Sequence, residues 1–206
     1  MVAEPFELLR QLAWRYHRFK QQHKHRGPVS SRSRQHQQVL TGLEESFERA
    51  LERWVDDETL HEAWLAHFYH FAPEPRGPAL PKPPIFKGRD PSGRSAELLP
   101  AQGGGYELMI EGKPVRRLAG PVRFPDRPLR ALRVGGFGFA ETFDASDAAV
   151  EALSEYARDP SRGAPWKYAS DLYSDGVVDP NFGLTPRGRR LIDARRGGGG
   201  GVDLML

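Results

Sequence analysis

The chain has 206 residues, enough for one large domain or two small ones, and its 38% hydrophobic and 28% charged residues support a folded but modest core. It contains no cysteine, which excludes disulfides, thiolate metal sites and cysteine nucleophiles. A net charge of +3 is too small to imply nucleic acid by itself. No apolar run approaches the ~20 residues that span a bilayer, and the N-terminus lacks a signal peptide's apolar core, so a cytoplasmic protein with no membrane contact is expected.

Three helices are expected first. Phe6, Leu9, Leu12, Ala13, Tyr16 and Phe19 recur at the spacing of one helical face, which Gly27 and Pro28 end. Leu40, Leu43, Phe47, Ala50, Leu51 and Trp54 form a second face. The break Asp56-Asp57-Glu58-Thr59 caps a third helix, with Thr59 and Glu62 spaced as a capping box. Leu60, Ala63, Trp64, His67, Phe68 and Phe71 are its buried stripe. Residues 1–36 carry eight basic against two acidic side chains, and residues 39–62 the reverse. The two segments are expected to pack antiparallel and neutralise each other; a basic arm that reaches for phosphate is the alternative.

Proline and glycine then take over. PEPRGPALPKPP, GRDPSGRS and QGGG read as a connector laid over the surface. A smaller unit begins at Tyr106, where YELMIEGKPVRRL gives two strands around a Glu111-Gly112-Lys113 turn, with Val115 and Leu118 continuing the core. A strand through Leu129–Val134 follows, and GGFGF fits a tight strand or bulge better than a phosphate loop, because Glu141, Asp144 and Asp147 would repel the anion. Ser146 or Asp144 caps a helix ended by Asp159-Pro160, and Pro165 opens a short one that stops at Gly176. Thr185 caps the last, with Pro186 at its first position. The class expected is α+β: a helical module (1–72), a Pro/Gly-rich connector (73–105), a small α+β unit (106–196) and a flexible Gly tail (197–206).

Chemistry is harder to find. All seven histidines lie at or before residue 70, and His61 and His67 are six apart rather than the four a zincin helix requires. One Glu-x-x-His repeat, Glu58 to His61, falls short of a di-iron bundle. No serine sits in a nucleophile elbow and no carboxylate pair is placed for catalysis. No catalytic residue, metal or cofactor is expected, and the sequence leans away from an enzyme.

Residues 172–192, LYSDGVVDPNFGLTPRGRRLI, resemble the end of a winged helix-turn-helix domain. Phe182, Leu184, Thr185, Pro186, Gly188, Leu191 and Ile192 match the segment that enters its final helix, and Asp175-Gly176-Val177-Val178 match its recognition-helix end. The likeness implies that Lys167 to Tyr173 face a major groove, with the wing around Pro180-Asn181 on the backbone. Lys167, Arg187, Arg189, Arg190, Arg195 and Arg196 are the basic residues such an interface would use.

Two functions therefore stand open. The first is a non-catalytic interaction or assembly component that binds a protein partner through its helical module and a tethered C-terminal peptide. The alternative is a nucleic-acid-associated regulator built on the winged-helix-like segment. The peptide is GGGGGVDLML, in which Val202, Leu204 and Leu206 alternate with Asp203 and Met205 at the period of a strand. Such a segment suits a partner's sheet edge or groove. The sequence sets no oligomeric state.

Overall fold

A computed structural model of the chain describes residues 5–23, 31–76, 82–101, 104–119, 132–134, 137–195 and 204–205. Three helices open it, α1 (Pro5–His23), α2 (Ser31–Trp54) and α3 (Glu58–His70). Six strands follow: β1 (Phe86–Arg89), β2 (Ser95–Pro100), β3 (Tyr106–Ile110), β4 (Lys113–Leu118), β5 (Leu132–Val134) and β6 (Phe137–Glu141). Then come α4 (Asp147–Arg158), α5 (Ala169–Ser174), α6 (Pro186–Arg195) and a two-residue strand β7 (Leu204–Met205). This is the α+β class expected. No described helix is long and apolar enough to cross a membrane.

The N-terminal helices bury the faces their periodicity marks. Leu9, Leu12 and Ala13 of α1, Leu43, Phe47 and Leu51 of α2, and Trp64 and Phe68 of α3 are all fully buried. Rings interlock between them: Phe47 stacks on Phe68 at 4.0 Å, and Tyr16 on Phe68 at 4.4 Å. Such pairs add roughly 0.5–1.5 kcal/mol each beyond the area they bury. Three details depart from expectation. The cap of α3 is Asp57 rather than Thr59: its carboxylate accepts the Leu60 N–H at 2.7 Å, so the helix starts at Glu58. Phe71 is the C-cap, with φ 58°, and the left-handed turn carries its ring out of the buried stripe to 48% exposure. The opposite charges of α1 and α2 do not pair across their contact among the described residues. Arg10 instead holds Glu7 and Glu74, while Arg49 holds Asp171 at 2.9 Å and Glu45 at 3.6 Å.

The helices after residue 146 pack into this same core. Val150, Leu153, Trp166, Leu172, Tyr173, Leu191 and Ile192 belong to one buried cluster with the side chains of α1–α3. Helices as short as α5 and α6 cannot bury a face alone. α5 lies against α2 and α6 against α4, and α2 approaches the 3₁₀ turn Trp166–Tyr168 so closely that a Cβ on Gly42 would stand 3.2 Å from the Lys167 nitrogen. Side chains from 6–69 and from 143–192 therefore share one core.

The stretch 73–105 is more than a connector, because β1 and β2 lie in it. Asp90 builds the turn between them. One carboxylate oxygen accepts the Ser92 N–H at 2.9 Å, the Ser92 hydroxyl at 2.7 Å and the Arg94 N–H at 2.9 Å. The other accepts Arg94 Nε–H at 2.8 Å. Pro91 presets the second turn position and Gly93 takes φ 87°. The described strands form one sheet in the order β4-β3-β2-β1-β6-β5-β7, antiparallel throughout except that β7 runs parallel to β5. Phe86, Ala96, Leu98, Leu108 and Phe139 make a second, smaller core on it. The β3–β4 hairpin turns where expected, but Leu108 faces Arg116 while Met109 faces Pro114. Val115 falls in the resulting bulge and is 58% exposed rather than part of the core.

The hydrogen bonds from Ser92 and Arg94 hold the Asp90 carboxyl at about 2. An unfolded aspartate titrates near about 4, so the folded value is depressed. The contribution of Asp90 is thus present above pH ~4 and lost as pH falls toward ~2. Urea unfolding across that window should show the wild type losing stability more steeply with acid than Asp90→Asn, whose stability is already lower at neutral pH.

Candidate functional site

Helix α6 starts as its sequence dictates, with the Thr185 hydroxyl accepting the Gly188 N–H at 3.0 Å. Arg187 and Arg190 are three apart, so they share a face, and that face turns inward. Their side chains are 1% and 0% exposed. Gly188 permits this: a Cβ there would run into the Val177 carbonyl oxygen, so the helix backbone lies directly on the 177–178 segment.

Each guanidinium makes several hydrogen bonds. Arg187 donates through Nε to the Asp175 carbonyl at 2.6 Å and through Nη1 to Glu141 at 2.8 Å. Its Nη2 reaches the Thr142 carbonyl at 2.6 Å and the Asp175 carboxylate at 2.9 Å. Arg190 donates to both Glu141 oxygens, from Nε at 2.8 Å and Nη2 at 2.9 Å, and from Nη2 to the Ile85 carbonyl at 3.0 Å. Glu141 is 1% and Asp175 2% exposed, so two buried cations face two buried carboxylates. Short, multidentate charge-assisted bonds of this kind are the ones that offset desolvation. The network joins the end of β6, the residue before β1, the turn after α5, and α6. It fastens the sheet to the helical core.

Lys87 on β1 extends the network outward, 2.8 Å from Asp144 and 3.9 Å from Asp175. Its ammonium holds the Asp144 carboxyl below the ordinary range. Beside it opens a cleft of about 510 Å³, with Lys87, Asp144 and Asp175 on one side and Arg53 and Trp54 of α2 on the other. Arg53 donates to the Ser174 hydroxyl. The arrangement fixes charge in place: Asp144 is kept ionised, and Lys87 stands among carboxylates.

Two histidines are tied to backbone. A His17 ring nitrogen lies 2.8 Å from the Phe68 carbonyl oxygen, and His67 Nδ1 lies 2.7 Å from that of Ala72. Among the described residues no three ligand-type side chains gather as a metal site.

The residues singled out from sequence scatter. Arg187 and Arg190, assigned to a nucleic-acid surface, are interior residues, because both carboxylates they need lie beneath α6. Arg195 pairs with Asp147 of α4, and Arg189 reaches the Leu184 carbonyl at 3.4 Å. Lys167 is exposed, with its ammonium 5.6 Å from the Tyr168 ring centroid. Leu204 pairs through its backbone with Leu132, and Met205 with Arg133, so the tail adds a strand to its own sheet. Val202, Leu206 and Arg196 lie outside the described residues.

One surface feature was missed. Trp14 sits off the buried stripe of α1 and is 50% exposed. The Arg18 guanidinium stands 5.2 Å from its ring centroid and that of Arg15 5.8 Å. The signal was the helical period itself, which puts Arg10, Trp14 and Arg18 in one row. Comparison with family models, curated proteins and solved structures finds no match.

Removing one buried carboxylate leaves its guanidiniums uncompensated. Glu141→Gln is expected to destabilise the protein by about 3–5 kcal/mol, read from urea unfolding at pH 7. A loss below about 1 kcal/mol, the worth of an exposed pair, would show that the network is not buried in solution.

Proposed function

We propose that the protein is a non-catalytic interaction or assembly component, which binds a protein partner through its helical module with the C-terminal segment as a second contact. The observation that carries this reading is the exposure of Trp14 and Phe71, 50% and 48%, beside neighbours such as Tyr16 and Phe68 that are buried. Large aromatic side chains held at the surface of a packed helical unit supply most of the binding energy at protein interfaces. The ion pairing of Lys87 with Asp144 and Asp175 in the cleft supports a role without proton transfer. The pairing of Leu204 and Met205 with β5 supports a tail that takes up a strand edge, with Val202, Leu204 and Leu206 as its apolar side chains. The nucleic-acid alternative is not carried forward, since Arg187 and Arg190 serve the interior.

The full-length protein, immobilised in native extract, is expected to retain a defined protein that also binds once purified. Trp14→Ala with Phe71→Ala should weaken that binding at least about tenfold, a loss of ~1.4 kcal/mol, with the unfolding transition kept. A 1–201 truncation should weaken it further. A retained protein indifferent to all three changes, or retention of nucleic acid alone, would sink the proposal.

A further inference from the structure

The row Arg10, Trp14 and Arg18 along α1, with Arg15 beside it, has chemistry that names its partner more closely. Arg10 is satisfied, paired with Glu7 and Glu74. Arg15 and Arg18 are not. Among the described residues neither makes a hydrogen bond or an ion pair; their contacts are with rings. Arg15 lies 4.2 Å from the Trp166 centroid, half-buried, with its Nε shielded from water and without an acceptor. Burial pulls the Arg15 guanidinium below its usual range, and the charge of Arg18 adds to that effect. Two like charges therefore sit together on one exposed indole with no carboxylate between them. Such a pair repels itself and gains from any anion that enters.

The space for that anion is there. Arg10, Gln11, Trp14, Arg15 and Asn181 line a shallow, mostly apolar depression of about 380 Å³. Its shape suits a side chain laid on the indole with a carboxylate reaching the guanidiniums. Guanidinium forks match carboxylates in bidentate fashion. The row carries three cations against two carboxylates, Glu7 and Glu74, a net charge of one. Nucleic acid fits this poorly: a duplex brings one phosphate per ~1.7 Å of axis, and Glu7 and Glu74 would repel it. A segment with one or two carboxylates and an apolar anchor brings fewer negative charges past Glu7 and Glu74, and its apolar side chain gains from the indole.

We infer that the Arg10–Trp14–Arg18 row, with Arg15, is the docking surface for an acidic segment of a partner protein bearing an apolar side chain between its carboxylates. This rests on the interaction role proposed above and specifies its partner.

The test uses the full chain and three labelled probes read by fluorescence anisotropy: a twelve-residue Gly/Ser peptide with Glu-Leu-Glu at its centre, its Gln-for-Glu counterpart, and a twelve-nucleotide single strand. The acidic peptide should bind at least about tenfold tighter than the neutral one, and its affinity should fall as salt rises from ~50 to ~300 mM. Arg18→Gln, at an exposed position whose contact is with the Trp14 ring, and Trp14→Ala should each weaken it several-fold. Lys113→Gln with Arg116→Gln on β4 should not. Arg15→Gln serves as a third variant, scored only if its thermal transition matches the wild type, because Arg15 also packs on Trp166. Equal binding of the acidic and neutral peptides, indifference to Arg18→Gln, or preference for the nucleotide strand would each overturn the inference. So would an Arg18-dependent dimer in sedimentation, which would make the occupant a second copy. A partner captured through Trp14 and Phe71 without acidic-peptide binding would remove this inference and leave the interaction role standing.

Discussion

Glu141 is the residue on which the rest of the structure depends. It is buried at the end of β6 and accepts hydrogen bonds from both Arg187 and Arg190. An ionised carboxylate taken out of water costs several kcal/mol unless it is paired and hydrogen-bonded. Three groups answer that cost together, since Asp175 neutralises the second arginine and backbone carbonyls of Ile85, Thr142 and Asp175 absorb remaining N–H donors. The pieces are far apart in sequence. Residues 85, 141, 175 and 190 meet only when sheet and helices are both in place, so the network is a checkpoint on assembly of the whole chain rather than on any one element.

The consequences spread outward. Gly188 is required because α6 must touch the 177–178 segment for its arginines to reach Glu141. Gly176, in the left-handed conformation at φ 70°, turns the chain after α5 so that Asp175 faces inward, and a side chain there would strike the Pro84 carbonyl. Ionisable groups that might have been read as chemistry are thereby consumed as architecture. The surface of α1, by contrast, keeps the exposed Trp14 indole with the Arg18 guanidinium over it, while Arg15 beside them also packs on Trp166. Interior charges that serve the fold and surface charges that await a counter-ion can be told apart here by their partners, which composition alone does not reveal.

Much of the fold was legible because its cause is local. The stripes of α1, α2 and α3 follow from 3.6-residue periodicity, and the Ser146 and Thr185 caps from short polar side chains ahead of helical runs. The β3–β4 hairpin follows from Glu111-Gly112, both of which take positive φ. The failures share one trait, dependence on contacts distant in sequence. Proline density between residues 73 and 84 masks the Asp90-Pro91-Ser92-Gly93 turn, although that turn's residue types are themselves a local signal. The Val115 bulge exists only once β3 and β4 pair. Arg187 and Arg190 resembled surface charge, and the one hint against that was Gly188, a helix-weakening residue whose presence implied close packing. Trp14 stands off the helical stripe, but its meaning comes from Arg15 and Arg18, which have no counter-ion among the described residues.

On this account the buried charges bind helices and sheet into one cooperative body. Native-state hydrogen exchange with increasing urea, followed residue by residue, tests it most directly. The slowest amides of α2, α3, β2 and β3 should converge on one opening free energy with one denaturant dependence. In Arg190→Met, where Glu141 loses its main partner, that common isotherm should split, with the strands opening below the helices. Two separate isotherms in the wild type, or a single one that Arg190→Met leaves intact, would contradict it.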